Sequence, residues 1–318
     1  MLVGMKGTVV RSTGSHYVVV PDGGSDEILC KAKGSFRIKG IRTTNPVAVG
    51  DHVTVGQPGS DGVAYITAID TRRNYIIRRA SNLSKESQII AANIDLAMLV
   101  VTLAHPTTST TFIDRFLATA AAYNVPALIA INKVDLLTDD EDRELLEAVA
   151  YLYRSIGYEV VELSAQTGEG LDELRNALSG KRTLVSGNSG VGKSTLINRL
   201  IPELNLKTGE ISAVHDTGMH TTTFSQLFDL PGGDGAIIDT PGVRGFGTID
   251  FDRYEVGHYF PELFKLSSEC RFGNCTHTHE PGCAVLTALD EGRIAQSRYA
   301  SYLSILDDAD EGKYRKGY

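Results

Sequence analysis

Eight residues, Gly187-Asn188-Ser189-Gly190-Val191-Gly192-Lys193-Ser194, set glycines, a lysine and a hydroxyl at the spacing of a Walker A phosphate loop. The chemistry requires these types. Glycines let successive backbone N–H groups turn inward around phosphate oxygens, and the start of the following helix adds positive potential. Lys193 is expected to reach the β- and γ-phosphates and Ser194 to bind Mg²⁺, with Thr195 beside it in the nucleotide contact.

A second group reads the base. Asn132-Lys133-Val134-Asp135 follows an apolar run that ends at residue 131. A carboxylate at Asp135 can accept from both guanine N1–H and the 2-amino group. Adenine offers neither donor, so the charge would be left unmatched. Ser164-Ala165-Gln166 suits a loop whose backbone N–H meets guanine O6. Together these motifs point to GTP and GDP rather than adenine nucleotides.

The third group is expected to sense the γ-phosphate. Asp239-Thr240-Pro241-Gly242 ends another apolar run, with Asp239 holding a Mg²⁺-bound water and the Gly242 N–H facing the phosphate. Upstream lies His220-Thr221-Thr222-Thr223. One of these threonines, with Thr222 taken as the candidate, is the expected Mg²⁺ ligand of the first switch. Where commoner GTPases carry a water-orienting Gln, this chain has Val243, so catalytic help must come from elsewhere, and His220 is the nearest candidate by sequence.

These motifs run in permuted order. The base-reading groups precede the phosphate loop, although the cyclic order is intact. Domain termini usually lie at the surface and close together, so such a break point is tolerable. As a consequence, the second switch leads directly into a C-terminal segment carrying Cys270, Cys275, His277 and Cys283. Three thiolates and an imidazole suit one tetrahedral structural zinc, with His279 as an alternative to His277.

The elements that position these groups follow from hydrophobic pattern. Apolar runs at 94–103, 127–131, 158–163, 183–186 and 236–239 alternate with helical patterns at 111–123, 139–156, 171–178 and 194–201. That alternation predicts an α/β domain with a mostly parallel sheet. The first 70 residues read instead as about five short strands punctuated by Gly and Pro, which predicts a small β-barrel of OB-fold type. Residues 72–85 are polar and basic, like a linker. The expected organisation is therefore a barrel at 1–72, a linker at 73–87, a permuted GTPase domain at 88–247 and a helical zinc domain at 248–318.

The net charge of −8 argues against a protein that coats nucleic acid, but the charge is uneven. Residues 1–80 carry 11 Lys and Arg against 6 Asp and Glu. Lys31, Lys33, Arg37, Lys39 and Arg42 are candidates for RNA contact. No apolar run is long enough to span a membrane, and the N-terminus does not read as a signal peptide, so a cytoplasmic protein without membrane partners is expected.

The chain resembles the ribosome small-subunit-dependent GTPase A family. The resemblance rests on the phosphate loop, His220-Thr221-Thr222-Thr223, Asp239-Thr240-Pro241-Gly242 and Pro46-Val47-Ala48-Val49-Gly50-Asp51. Cys270-Arg271-Phe272 and Glu280-Pro281-Gly282-Cys283-Ala284-Val285 extend it. It implies a GTPase that acts in late maturation of the small ribosomal subunit, binds its rRNA and is stimulated by it; apart from the resemblance, a monomer is expected. It also implies a catalytic role for His220. Met219 departs from the family's usual basic residue, Asn188 from its usual Gln, and Val243 from a common aromatic. A metabolic ATPase or kinase and a slow-turnover RNA scaffold are the rival readings. The guanine motif opposes the first, and the intact phosphate and Mg²⁺ residues oppose the second.

Overall fold

The computed structural model describes residues 4–32, 46–58, 63–79, 87–204, 225–239 and 251–314. Near the N-terminus, β1 (Met5–Ser12), β2 (Tyr17–Pro21), β3 (Ile28–Ala32), β4 (His52–Val55) and β5 (Ala64–Ile69) follow the predicted strands closely. They pair in the order β1-β2-β3-β5-β4, and β4 returns to β1, so the sheet closes into an OB-type barrel. Alternation supplies the interior: Val9, Tyr17, Val19, Cys30, Val53, Val55 and Ile66 point inward and are buried.

Segment 73–87, expected as a linker, holds a strand instead. β6 (Tyr75–Arg79) pairs antiparallel with β7 (Ser87–Ala92). Its basic residues dominated the composition, but Ile76 and Ala91 are buried in one core with Leu99 and Val49. Arg72 grips the fully buried Asp51 through Nε and Nη2, both at 2.6 Å, and so ties this segment back to the barrel.

The second sheet contains β8 (Leu96–Val101), β9 (Ala127–Ile131), β10 (Glu159–Glu162), β11 (Arg182–Ser186), β12 (Ser225–Asp229) and β13 (Ala236–Asp239). Their order is β10-β9-β8-β11-β13-β12, parallel except for β12. β8 is buried on both faces. Ala97, Leu99 and Val101 join one core, Leu96, Met98 and Val100 the other. α1 (Thr110–Ala122) and α2 (Asp140–Ile156) cover the first face through Ile113, Phe116 and Tyr153. α3 (Leu171–Leu178) and α4 (Lys193–Leu200) cover the second through Leu174 and Leu196. The sequence pattern did not reveal β12, an edge strand of mixed polarity. It pairs with the end of β1 (Arg11 with Gln226, Ser12 with Ser225), which makes the barrel and this sheet one hydrogen-bonded surface.

The C-terminal part is helical: α5 (Pro261–Ser267), α6 (Ala284–Asp290) and α7 (Gln296–Tyr314) pack around Val256, Phe260, Leu263, Val285, Tyr302 and Ile305. Ala118 of α1 belongs to the same core. Arg298 on α7 is 1% exposed and donates from Nη1 to Asp114 of α1 at 2.7 Å and from Nε to Glu262 at 2.6 Å. Tyr153 of α2 donates to the same Asp114 oxygen, and the guanidinium lies 4.6 Å from the centre of the Phe260 ring. Burial alone would lower the Arg298 pKa, but the hydrogen bonds to Glu262 and the charge of Asp114 raise it, so it stays ionised. Among the described residues no helix is long and apolar enough to cross a membrane.

Candidate active site and metal centre

Four of the motifs lie at the carboxyl ends of parallel strands in this sheet. Asn132 follows β9, Ser164 follows β10, Gly187 follows β11 and Asp239 closes β13. In an open α/β sheet, ligands bind outside the carboxyl ends of the strands. The permuted sequence therefore builds an arrangement of conventional kind, and only the connections between strands differ.

The phosphate loop turns at Gly187, Gly190 and Gly192, all with positive φ. At two of these positions closeness matters as much as conformation. A Cβ on Gly187 would lie 2.3 Å from the Val100 carbonyl, and one on Gly192 would lie 2.4 Å from Asn132 Nδ2. The Lys193 amine folds back on its own loop and donates to the Gly187 and Asn188 carbonyls at 2.6 Å each. Burial lowers its pKa, and the Asp239 charge works against that shift. A γ-phosphate entering this loop would compete for the amine with neutral carbonyls, and a charged acceptor wins such a competition. Ser194 is buried in the first turn of α4, and Thr195 beside it is half-buried.

Asn132 joins the phosphate loop to the base-reading loops. Its Nδ2 donates to Val191 O at 2.8 Å, and its Oδ1 accepts from Ala165 N at 2.9 Å. Lys133 is left-handed (φ 67°) and donates from Nζ to His105 O at 2.6 Å. That turn delivers Asp135 into the short helix Val134–Leu136, where its Oδ1 is buried and accepts no hydrogen bond among the described residues. An unpaired buried carboxylate oxygen is costly unless a ligand supplies donors, and guanine has two. Ser164 is fully buried and accepts from Thr167 N at 3.0 Å, which shapes the loop. Sequence reasoning passed over Arg199, which binds the carbonyls of Ala165 and Gln166. No motif marks it; only its helical spacing from Lys193 could have suggested the contact.

Met219, His220, Thr221, Thr222, Thr223, Gly242 and Val243 lie outside the described residues, as do Lys33, Arg37, Lys39 and Arg42. Lys31 is in β3 and half-buried.

Cys270, Cys275, His277 and Cys283 converge, with their donor atoms all within 4.8 Å of one another. His277 Nδ1 lies 3.6 Å from Cys270 Sγ and 3.4 Å from Cys283 Sγ, and the two sulfurs are 4.0 Å apart. Tetrahedral zinc–sulfur bonds place sulfurs about 3.8 Å apart, so the set fits one zinc ion. His279 is not in the cluster; its Nδ1 faces Thr278 Oγ1 instead. The surrounding hydrogen bonds hold the ligands in place. His277 has φ 55°, its carbonyl accepts from Tyr299, and the Thr276 carbonyl accepts from Tyr302, both tyrosines lying on α7. Glu280 accepts from the N–H groups of Thr276, Thr278 and His279. Although burial opposes it, the Thr276 hydroxyl, which donates to Oε1 at 2.6 Å, together with these backbone bonds holds the Glu280 carboxyl well below the usual carboxylate range.

With four protein ligands an ion held here would cross-link the knuckle and keep no open position for catalysis. Protein purified without added zinc should carry one ion per chain. Cys275→Ser should lose that metal and expose residues 270–283 to protease, and a variant retaining full metal and full resistance would refute the four-ligand set.

The family described as RsgA GTPase matches residues 69–249, and the one described as RsgA N-terminal domain matches residues 6–66. A Bacteroides fragilis protein named small ribosomal subunit biogenesis GTPase RsgA is 59% identical, with 99% of this chain and 100% of that protein covered. A protein of the same name from Porphyromonas gingivalis is also 59% identical over 99% of this chain and 100% of its own length. The crystal structure of YjeQ from Thermotoga maritima superposes with a TM-score of 0.76 at 34% identity, covering 96% of this chain and 98% of that one. The structure of YloQ, described as a circularly permuted GTPase, gives a TM-score of 0.75 at 30% identity, covering 99% and 97%.

Proposed function

Because this chain belongs to the RsgA GTPase family and is a GTP-hydrolysing enzyme that uses Mg²⁺, we propose that it acts on the small ribosomal subunit during late maturation. Its hydrolysis is stimulated by that subunit, and it works in the cytoplasm as a monomer. The observation that carries this reading is 59% identity along the whole length of a relative named for small-subunit biogenesis. The strand ends support it independently, because they bring the phosphate loop and the base-reading loops together through Asn132.

In this reading Asn132, Lys133, Asp135, Ser164 and Ala165 bind the base. Gly187, Asn188, Ser189, Gly190, Val191, Gly192, Lys193, Ser194, Thr195 and Gly242 bind the phosphates. Ser194, Thr222 and Asp239 hold Mg²⁺, Asp239 through water. Bound Mg²⁺ would offset charge on the β- and γ-phosphates. Lys193 exchanges its loop carbonyls for phosphate oxygens. His220 orients the attacking water when the protein is on the subunit. The barrel contacts rRNA through Lys31 and its basic neighbours, and phosphate contacts of this kind weaken as salt rises. Loss of the γ-phosphate, which the second switch senses just ahead of the zinc domain in the chain, weakens the grip on the subunit.

A test follows from His220. Stimulation of about 100-fold needs about 2.7 kcal/mol of transition-state stabilisation, within reach of one well-placed group. His220→Ala should bind GTP and the subunit normally, lose most of the stimulation and remain bound. Single-turnover hydrolysis and co-sedimentation with subunits measure this, and wild-type stimulation in the variant would remove His220 from the mechanism.

A further inference from the structure

Arg199 lies in the last turn of α4, the helix whose first residue is Lys193. Its guanidinium reaches across to the loop after β10, with Nε donating to Ala165 O at 2.9 Å and Nη2 to Gln166 O at 2.7 Å. Two consecutive carbonyls are thus held by one rigid fork, which a flexible single-point donor cannot reproduce. The backbone carbonyl of Arg199 in turn accepts from Arg175 Nη2 at 3.1 Å, and Arg175 pairs with Asp172 at 2.8 Å, so the clasp is braced by α3.

What the clasp fixes follows from peptide geometry. The Ala165 carbonyl and the Gln166 N–H belong to one planar unit and point in opposite directions. Holding the carbonyl therefore sets the direction of the N–H. The preceding N–H, that of Ala165, is already committed to Asn132 Oδ1 at 2.9 Å. The Gln166 N–H donates to no acceptor among the described residues. The loop thus presents one unused donor whose direction is set from behind by Arg199.

We propose that Arg199 is a positioning residue for purine recognition, one that sets how the Ala165–Gln166 loop reads the 6-oxo group of the base. The proposal rests on the assignment of these strand ends as the guanine site. It separates two halves of base recognition. Asp135 reads the N1–H and 2-amino donors, and the Arg199-held loop reads the 6-oxo acceptor. Because the clasp springs from the phosphate-loop helix, it also fixes the distance between the two ends of the nucleotide site.

Two affinity ratios resolve the two halves. In 6-thio-GDP a poor sulfur acceptor replaces the 6-oxo group while N1–H and the 2-amino group remain. IDP keeps the 6-oxo group and lacks the 2-amino donor. For Arg199→Ala, competition binding should show GDP weakened about 10-fold, as befits a charged hydrogen-bonded pair partly open to solvent. The GDP to 6-thio-GDP ratio should narrow by at least about 3-fold, while the GDP to IDP ratio stays within about 2-fold of wild type. Arg199→Lys should fall between the two, because it keeps the charge and loses the fork. Arg199 is exposed, so both variants should fold, and their melting curves provide the check. If both ratios stay at wild-type values, Arg199 does not position the loop. If both collapse together, Arg199 supports the site only generally and the proposal fails. Wild-type protein that binds ADP as well as GDP would overturn the guanine assignment itself, and the proposal with it.

Discussion

Asp135→Asn is expected to weaken GTP binding by about 100- to 10,000-fold and to make xanthosine triphosphate the better ligand. The size follows from two charge-assisted hydrogen bonds at about 1.5–3 kcal/mol each. An asparagine amide carries one acceptor and one donor group, so against guanine its NH2 faces another donor. Against xanthine the same NH2 meets the 2-oxo group, and the amide oxygen still accepts from N1–H. The structure makes Asp135 the right residue to change. Its Oδ1 is buried without a hydrogen-bond partner among the described residues, and the turn that carries it is fixed by Asn132 and Lys133 rather than by Asp135 itself. The variant should therefore fold normally. Competition between the two triphosphates is the measurement. Unchanged guanine preference in a folded variant would sink the base-reading assignment.

The second large effect is on stability. Arg298→Ala is expected to cost about 3–5 kcal/mol, because it strands a buried carboxylate at Asp114. Asp114 is fully buried and Glu262 is 15% exposed at its side chain, so the penalty falls mainly on Asp114. Burial already pushes the Asp114 carboxyl upward in pKa, with the Arg298 charge acting against that shift. Since this pair joins α7 to α1, the loss should appear as release of the C-terminal helices. Denaturant unfolding and limited proteolysis around residues 251–314 should both report it. Combining Arg298→Met with Asp114→Asn removes both charges and should recover part of the loss. No recovery in the double variant, or no loss in the single one, would show that the pair is not the fastening between the two parts.

Legibility varied with the range of the signal. β9, β13 and α3 lie where the hydrophobic pattern put them, and β8 and β11 within a residue or two, because a buried parallel strand is an apolar run and its motif follows at once. The barrel strands were readable from alternation between turn residues. β12 was not, since Ser225 and Gln226 at an edge carry too little apolar pattern to stand out. β6 was hidden by the basic residues around Ile76, and only its pairing with β7 reveals it. The convergence of Cys270, Cys275, His277 and Cys283 was legible because metal chemistry restricts residue type and spacing together. Arg199 and Arg298 were not, because each acts on residues far away in the chain: Arg199 on Ala165 and Gln166, Arg298 on Asp114 across 184 positions. No local pattern encodes such a pairing.

One measurement bears most directly on the central claim, that this GTPase works on the small ribosomal subunit: the steady-state rate of GTP hydrolysis with purified small subunits, with large subunits and with neither. Alone, a domain lacking the water-orienting Gln should turn over at about 10⁻⁴ to 10⁻² s⁻¹. Small subunits should raise that rate by about 100-fold, a gain of about 2.7 kcal/mol in the transition state, and large subunits should leave it where it was. Equal rates in all three conditions, or equal stimulation by both particles, would contradict the account.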